Sequence, residues 1–154
     1  MIIKKAIIKD FEKLKEIKTE FFLWECKLDK RQNPNYVKRG LGSRLAKNLR
    51  QDNVAFFIAV EKGEIIGYSG AEITKNSPDY VYKKRGHLFN LYVKPKYQNK
   101  GVGKRLVRET LKWFKKKKIS DLLIMVFSFN KKAHKMYKKF GFGDYIIILK
   151  KVKC

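Results

Sequence analysis

The sequence predicts a single α/β (α+β) domain over residues 1–154, and three observations carry that prediction. With 44% hydrophobic and 14% aromatic residues, the 154-residue chain has material for one core between two packed layers. Phe11, Leu14, Ile17, Phe21 and Trp24 recur at three- and four-residue spacing, which lays an apolar stripe along one helix. Val54 to Val60 and Ile65 to Ile73 are strand-like runs separated only by Glu61-Lys62-Gly63-Glu64, the mark of a hairpin.

The remaining elements follow in order along the chain. Ile2, Ile3, Ile7 and Ile8 form a β-branched opening strand, and Asp10 then supplies an N-cap oxygen for the striped helix over about Asp10 to Glu25. Asp29 to Asn35 is a polar break containing Pro34, before a second helical pattern at Tyr36, Leu41, Leu45 and Leu49, weakened by Gly40 and Gly42. After the hairpin, Thr74 to Gly86 has no clean period and reads as a loop or a loose strand end. His87 to Val93 reads as a strand closed by Pro95, and Val102 to Phe114 as a helix ending in the cations Lys115 to Lys118. Leu122 to Phe127 reads as a buried strand. Ala133, Met136, Tyr137 and Phe140 mark a short helix stopped by Gly141, and Tyr145 to Leu149 a last strand.

Composition narrows the function classes. No apolar run approaches the roughly 20 residues that span a bilayer, and the start lacks a long apolar stretch behind a basic leader. Cys26 and Cys154 lie far apart and make no metal-ligand spacing, which fits a reducing, cytoplasmic setting. Lys and Arg number 38 against 14 Asp and Glu, a net charge of +24. Such a field draws an anionic partner such as nucleic acid, a ribosomal surface or a phosphorylated cofactor. Lysine dominates over arginine, however, and lysines spread over helical faces also make a merely solvated surface.

The informative stretch is Leu91-Tyr92-Val93-Lys94-Pro95-Lys96-Tyr97-Gln98-Asn99-Lys100-Gly101-Val102-Gly103-Lys104, a strand, a turn and a helix start. Residues without Cβ let successive backbone N–H groups converge on an anion, and the helix start adds its unsatisfied amides and positive dipole end. Neither the dinucleotide fingerprint nor the P-loop is present, because each needs residues missing here. No metal-ligand cluster, Cys/His pair or Ser/His/Asp arrangement stands out, which leaves Tyr137 as the candidate for chemistry. By its spacing alone, Tyr137 reads rather as an aromatic on the apolar face of a short helix.

Gln98-Asn99-Lys100-Gly101-Val102-Gly103 resembles the Q/R-x-x-G-x-G/A signature of the GNAT superfamily of N-acetyltransferases. Asn130-Lys131-Lys132-Ala133-His134-Lys135-Met136-Tyr137-Lys138-Lys139-Phe140-Gly141-Phe142 resembles its N-x-x-A-x-x-x-Y-x-x-x-G-F helix. The likeness is sharp over Leu88 to Phe142 and is only a pattern of elements before it. It implies a mixed, mostly antiparallel central sheet flanked by about four helices. It also implies two parallel strands, His87 to Val93 and Leu122 to Phe127, splayed apart around acetyl-coenzyme A.

The resemblance further implies that Leu91 and Val93, with Tyr92 between them, bind the pantetheine arm through backbone. Gln98, Asn99, Lys100, Gly101, Val102, Gly103 and Lys104 would cradle the pyrophosphate, Arg105 adding charge, while Asn130 and Ala133 would hold the cofactor arm or the helix start. Tyr137 takes the place of the family's general acid. For the base, His87 stands four residues before Leu91, where many members carry glutamate, and it is read either as that base or as a strand-end surface residue. Phe21, Phe22, Trp24, Tyr36 and Tyr80 to Arg85 fall on the acceptor side by family placement, with core packing as the competing fate of the first three.

The function this implies is acetyl transfer from acetyl-coenzyme A to a primary amine, without metal, by a monomer or homodimer. The acceptor classes are a small amine, a lysine side chain or a protein N-terminus. A charge of +24 disfavours polyamines and favours an acidic or nucleic-acid-associated acceptor. A basic nucleic-acid or ribosome-binding module and a non-catalytic coenzyme A sensor are the competing classes.

Overall fold

The longest run of buried residues, Ile65 to Ala71, lies on the middle strand of a five-stranded sheet, and the next, Val54 to Ala59, on the strand beside it. The structure is a computed structural model that describes residues 1–151. Strands β1 (Ile2–Lys5), β2 (Val54–Glu61), β3 (Glu64–Lys75), β4 (Lys84–Val93) and β5 (Leu122–Ile124) lie in sequence order across the sheet. The first three neighbouring pairs are antiparallel and β4 with β5 is parallel. Helices α1 (Phe11–Leu28) and α2 (Gly42–Asn48), the latter entered through a π-helical turn at Val37–Leu41, cover one face. Helices α3 (Val102–Lys116) and α4 (Lys131–Lys138) cover the other.

Alternation along the strands decides which helix each residue meets. Phe56, Ile58 and Tyr68 pack under Leu14, Ile17 and Phe21 of α1. Ala55, Phe57, Ile66 and Ala71 pack under Leu106, Trp113 and Phe114 of α3. Burying one such large apolar side chain contributes roughly 1.5–3 kcal/mol. Inside the second layer, the Ser69 and Thr110 hydroxyls satisfy each other at 2.8 Å, tying β3 to α3 without an orphaned polar atom.

The hairpin turns through Lys62 at φ 48° and Gly63 at φ 79°, the two left-handed residues that match the twist of the flanking strands. A second irregularity matters more. Gly70 pairs with Asn90 but Ala71 pairs with Leu88, so Phe89 is an extra residue on β4. This bulge puts Asn90 and Tyr92 on the α1 face with His87 and Phe89, and Leu91 and Val93 on the α3 face.

Four expectations are corrected. Asp10 does not cap α1: its carboxylate turns back to accept from Ile7 N–H at 3.0 Å and Lys4 at 2.8 Å, closing the preceding 3₁₀ turn. Trp24 ends the α1 stripe 43% exposed, because the sheet has ended beneath it. The strand expected over Leu122 to Phe127 is only three residues long and half-buried, since its partner β4 leaves it after Ile124. Tyr145 to Leu149 pairs with no strand among the described residues, because β propensity specifies a strand but not its neighbour. Cys26 is buried, and Cys154 lies outside the described residues.

Gly70 lies opposite the bulge, where a Cβ would stand 2.6 Å from the Phe89 ring and 3.1 Å from Phe56. Gly70→Ala is therefore expected to lower unfolding free energy by about 1–3 kcal/mol in urea titrations, through overpacking.

Candidate active site

Parallel pairing between β4 and β5 covers only Gly86 with Leu122, His87 with Leu123 and Leu88 with Ile124. Its start is clamped: Gly86 N–H donates to the Asp121 carbonyl at 2.8 Å, and the Asp121 carboxylate accepts from Arg85 at 2.8 Å and Asn76 at 3.0 Å. Beyond Leu88 the bulge bends β4, which continues to Val93 beside β3 alone. Lys94 N–H donates to the Ile66 carbonyl of β3 at 2.9 Å. By alternation Tyr92 also bonds toward β3, so the N–H groups of Leu91 and Val93 point into the opening on the β5 side.

The chain after β4 is drawn back to the mouth of this opening. A 3₁₀ turn at Pro95–Tyr97 redirects it, and Gln98 donates its side-chain amide to the Val93 carbonyl at 2.9 Å. Asn99 at φ 63° and Gly101 at φ 79° then turn left-handed, which aims the following amides outward. Gly101 caps α3, and its carbonyl accepts the first helical bond, from Arg105, at 3.1 Å. Among the described residues, the N–H groups of Gly101, Val102, Gly103 and Lys104 donate to no protein acceptor. The space before Gly101 holds no heavy atom within 4 Å of where a Cβ would be, and at Gly103 a Cβ would touch only Leu91 and Val93, at 3.8 Å. Open space, unsatisfied amides and the positive end of α3 together fit a diphosphate.

Helix α4 closes the other side. Asn130 accepts from Ala133 N–H at 3.1 Å, which makes it the cap of α4, and Lys132 hydrogen-bonds Asn99 across the turn. Tyr137 is 7% exposed, packed with Leu88 of β4 and Val107 of α3, its ring edge-on to Phe142 at 6.0 Å. Burial pushes its hydroxyl above the usual phenol range, so at neutral pH it keeps its proton. His134, the neighbour on that helix, is exposed and bound to Asp144 at 2.7 Å.

His87 lies on the opposite face of β4, in the stretch still paired with β5. Its Nδ1 lies 3.6 Å from Glu72 of β3, while its buried Nε2 has no hydrogen-bond partner. Tyr92 turns its ring to Phe21, at 5.4 Å, so only its backbone borders the opening. Phe22 is half-buried against Tyr36, and Tyr80 stacks on Arg85 at 4.8 Å to the guanidinium, with Tyr82 exposed beside it. Among the described residues no group of three His, Cys, Asp or Glu is placed to hold a metal, and no helix is long and apolar enough to cross a membrane.

The sequence reading missed Lys18. Its Nζ lies 5.0 Å from the ring centres of both Phe56 and Tyr68, 5.9 Å from Phe89, and 3.2 Å from the Asn90 side-chain oxygen. Burial, with Arg44 adding repulsion, brings its pKa down to about 8. Its position four residues after Leu14 and three before Phe21 sets it on the buried stripe, a signal masked by its charge.

Comparison with known proteins accords with this geometry. The profile of the Acetyltransferase (GNAT) family matches residues 46–142. The chain belongs to that family. This acetyltransferase is 28% identical over 147 residues to a spermidine N(1)-acetyltransferase of Thermoplasma acidophilum, covering 91% of the chain and 86% of that protein. It is also 28% identical to an N-alpha-acetyltransferase of Sulfurisphaera tokodaii, over 66% of the chain and 64% of that protein. In fold it matches a predicted acetyltransferase from Clostridium acetobutylicum solved with acetyl-CoA, with a TM-score of 0.80 at 22% identity over 98% of this chain and 95% of that one.

Lys18 gives a pH signature. Between pH 8 and the ordinary lysine value of 10.5, the unfolded chain holds a proton on Lys18 that the folded chain has lost, so raising pH favours folding. The stability difference between wild type and Lys18→Met should rise by about 3 kcal/mol over that window in chemical unfolding, and stay flat below it.

Proposed function

We propose that the chain acetylates a primary amine by direct attack on acetyl-coenzyme A held in the opening between β4 and β5. The observation that carries the reading is the meeting of two sets of unsatisfied amides, along Leu91 to Val93 and at the mouth of α3. Acetyl-coenzyme A supplies an activated thioester and a diphosphate. The amides of Gly101 to Lys104, with Lys100 and Arg105 beside them, hold the diphosphate. Leu91 and Val93 replace missing ladder bonds with bonds to the pantetheine arm, in the manner of an added strand.

Two side chains divide the proton work. A neutral amine is required for attack, and His87, with Glu72 3.6 Å from its Nδ1, accepts the amine proton through water. Tyr137, kept protonated by burial, donates to the departing sulfur on the other face of the sheet. Acid and base thus serve opposite sides of the opening, and the amine approaches from the α1 side.

That side also bears on acceptor choice. Lys18 puts a buried cation beside Phe89 and Asn90, and the chain carries +24 overall. Although one relative bears the name of a spermidine acetyltransferase, these charges favour an amine on a neutral or acidic molecule over a free polyamine.

A thiol-release assay over a panel of amines tests the activity. Tyr137→Phe should lower turnover about 10²-fold or more while leaving acetyl-coenzyme A affinity nearly unchanged, and unaltered turnover rejects the acid role. Gly103→Trp should abolish cofactor binding measured by calorimetry.

A further inference from the structure

The cations that end α3 have neighbours brought from elsewhere in the chain. Lys115 to Lys118 close that helix, Lys83 and Lys84 enter β4, and the two groups meet. Tyr82, Lys83, Lys84, Lys117 and Lys118 line one open cleft of about 340 Å³. The negative end of the helix dipole accounts for Lys115 and Lys116 in the last turn, but not for Lys118 beyond it or for lysines from another element. Lys118 moreover holds φ 58°, at a helix exit where glycine is the usual residue.

These six lysines are exposed, and among the described residues none of them forms a salt bridge. Asp121, which follows the cleft residue Ser120, is already taken by Arg85 at 2.8 Å and Asn76 at 3.0 Å. The same Asn76 amide donates to the Tyr82 carbonyl at 2.8 Å, so one side chain latches the loop before β4 to the turn after α3. The cleft is thereby preformed. Its rim adds flat apolar faces: Tyr82 is 56% exposed, and the Tyr80 ring lies 4.8 Å from the Arg85 guanidinium beside it.

We propose that this end of the molecule binds single-stranded nucleic acid, its phosphates on the lysines and a base stacked on Tyr82. Cations crowded without partners repel one another, and a strand of closely spaced phosphates relieves that repulsion while releasing its own counterions. Lysine suits the task, because following a backbone needs charge rather than the fixed fork that reads bases. An acidic peptide offers the charge without the stacking faces. The cleft is separate from the proposed cofactor site, since the 15 residues of α3 put roughly 22 Å between it and the amides at Gly101.

Fluorescence anisotropy of the full chain with labelled mixed-sequence RNA and DNA strands of about 12 nucleotides, across about 50 to 200 mM salt, tests this. Both strands should bind, and an excess of coenzyme A should not displace them. Replacing Lys83, Lys84, Lys117 and Lys118 together by Gln should weaken binding at least about tenfold and make the logarithmic salt slope shallower by roughly 3, about 0.7 for each lost phosphate contact. Tyr82→Ala should weaken it about tenfold with the slope unchanged. Replacing the exposed Lys9, Lys27, Lys30 and Lys47, on the α1 and α2 side, by Gln should cost less than about threefold. Far-ultraviolet circular dichroism is expected to be the same for every variant. The proposal is overturned if neither strand binds, if coenzyme A displaces them, or if the second set of lysines matters as much as the first. Polyglutamate bound as tightly as the strands, with Tyr82→Ala indifferent, overturns it in favour of an acidic protein partner. None of these readouts needs acetyl transfer, so the outcome is independent of the proposed activity.

Discussion

Everything in this molecule that bears on chemistry depends on a parallel strand pair that is begun and then abandoned. β4 and β5 are clamped where they start, by Asp121 and its two side-chain donors, and share a ladder only as far as Leu88 and Ile124. The extra residue Phe89 then bends β4 away. Strand amides that lack ladder partners must be met by water or by a ligand, and Leu91 to Val93 are only half-buried, open to either. The sheet thereby stores an unmet demand for an extended, hydrogen-bonding ligand, and the mouth of α3 places a second demand, for anionic charge, at the end of the same opening.

The bulge also sorts side chains. Without the extra residue, strict alternation would send Asn90 and Tyr92 to the α3 face; with it, His87, Phe89, Asn90 and Tyr92 all look toward α1. Leu88 and Leu91 look the other way, toward Tyr137, Val107 and the α3 start. A one-residue irregularity therefore separates the proposed acceptor face from the proposed cofactor face. Gly70 is part of the same device, since only a residue without Cβ leaves room for the Phe89 ring.

Much of this was legible in the sequence because its signals were local. The hairpin, the α1 and α3 stripes and the glycine turn before α3 each follow from spacing or turn chemistry within a few residues, and the family likeness pointed to Asn130 at the start of α4. The errors came where the outcome depended on a distant partner. Leu122 to Phe127 has the composition of a buried strand, yet its length is set by where β4 leaves it. Tyr145 to Leu149 has the composition of a strand, yet no described neighbour receives it. Asp10 had a closer donor in Lys4, and Lys18 sat inside an apolar stripe that its charge concealed. At the candidate site, the glycine turn and Tyr137 were visible as motifs, whereas the placing of Glu72 within 3.6 Å of His87 required the cross-strand register.

The central claim is that the opening and the α3 mouth together accept one ligand through main-chain amides. Amide hydrogen exchange with and without saturating coenzyme A measures this residue by residue. Slowed exchange at Leu91, Val93 and Gly101 to Lys104, with the β1–β2 pair unchanged, is the predicted result; unprotected amides at those positions in a chain that calorimetry shows to be loaded would contradict it.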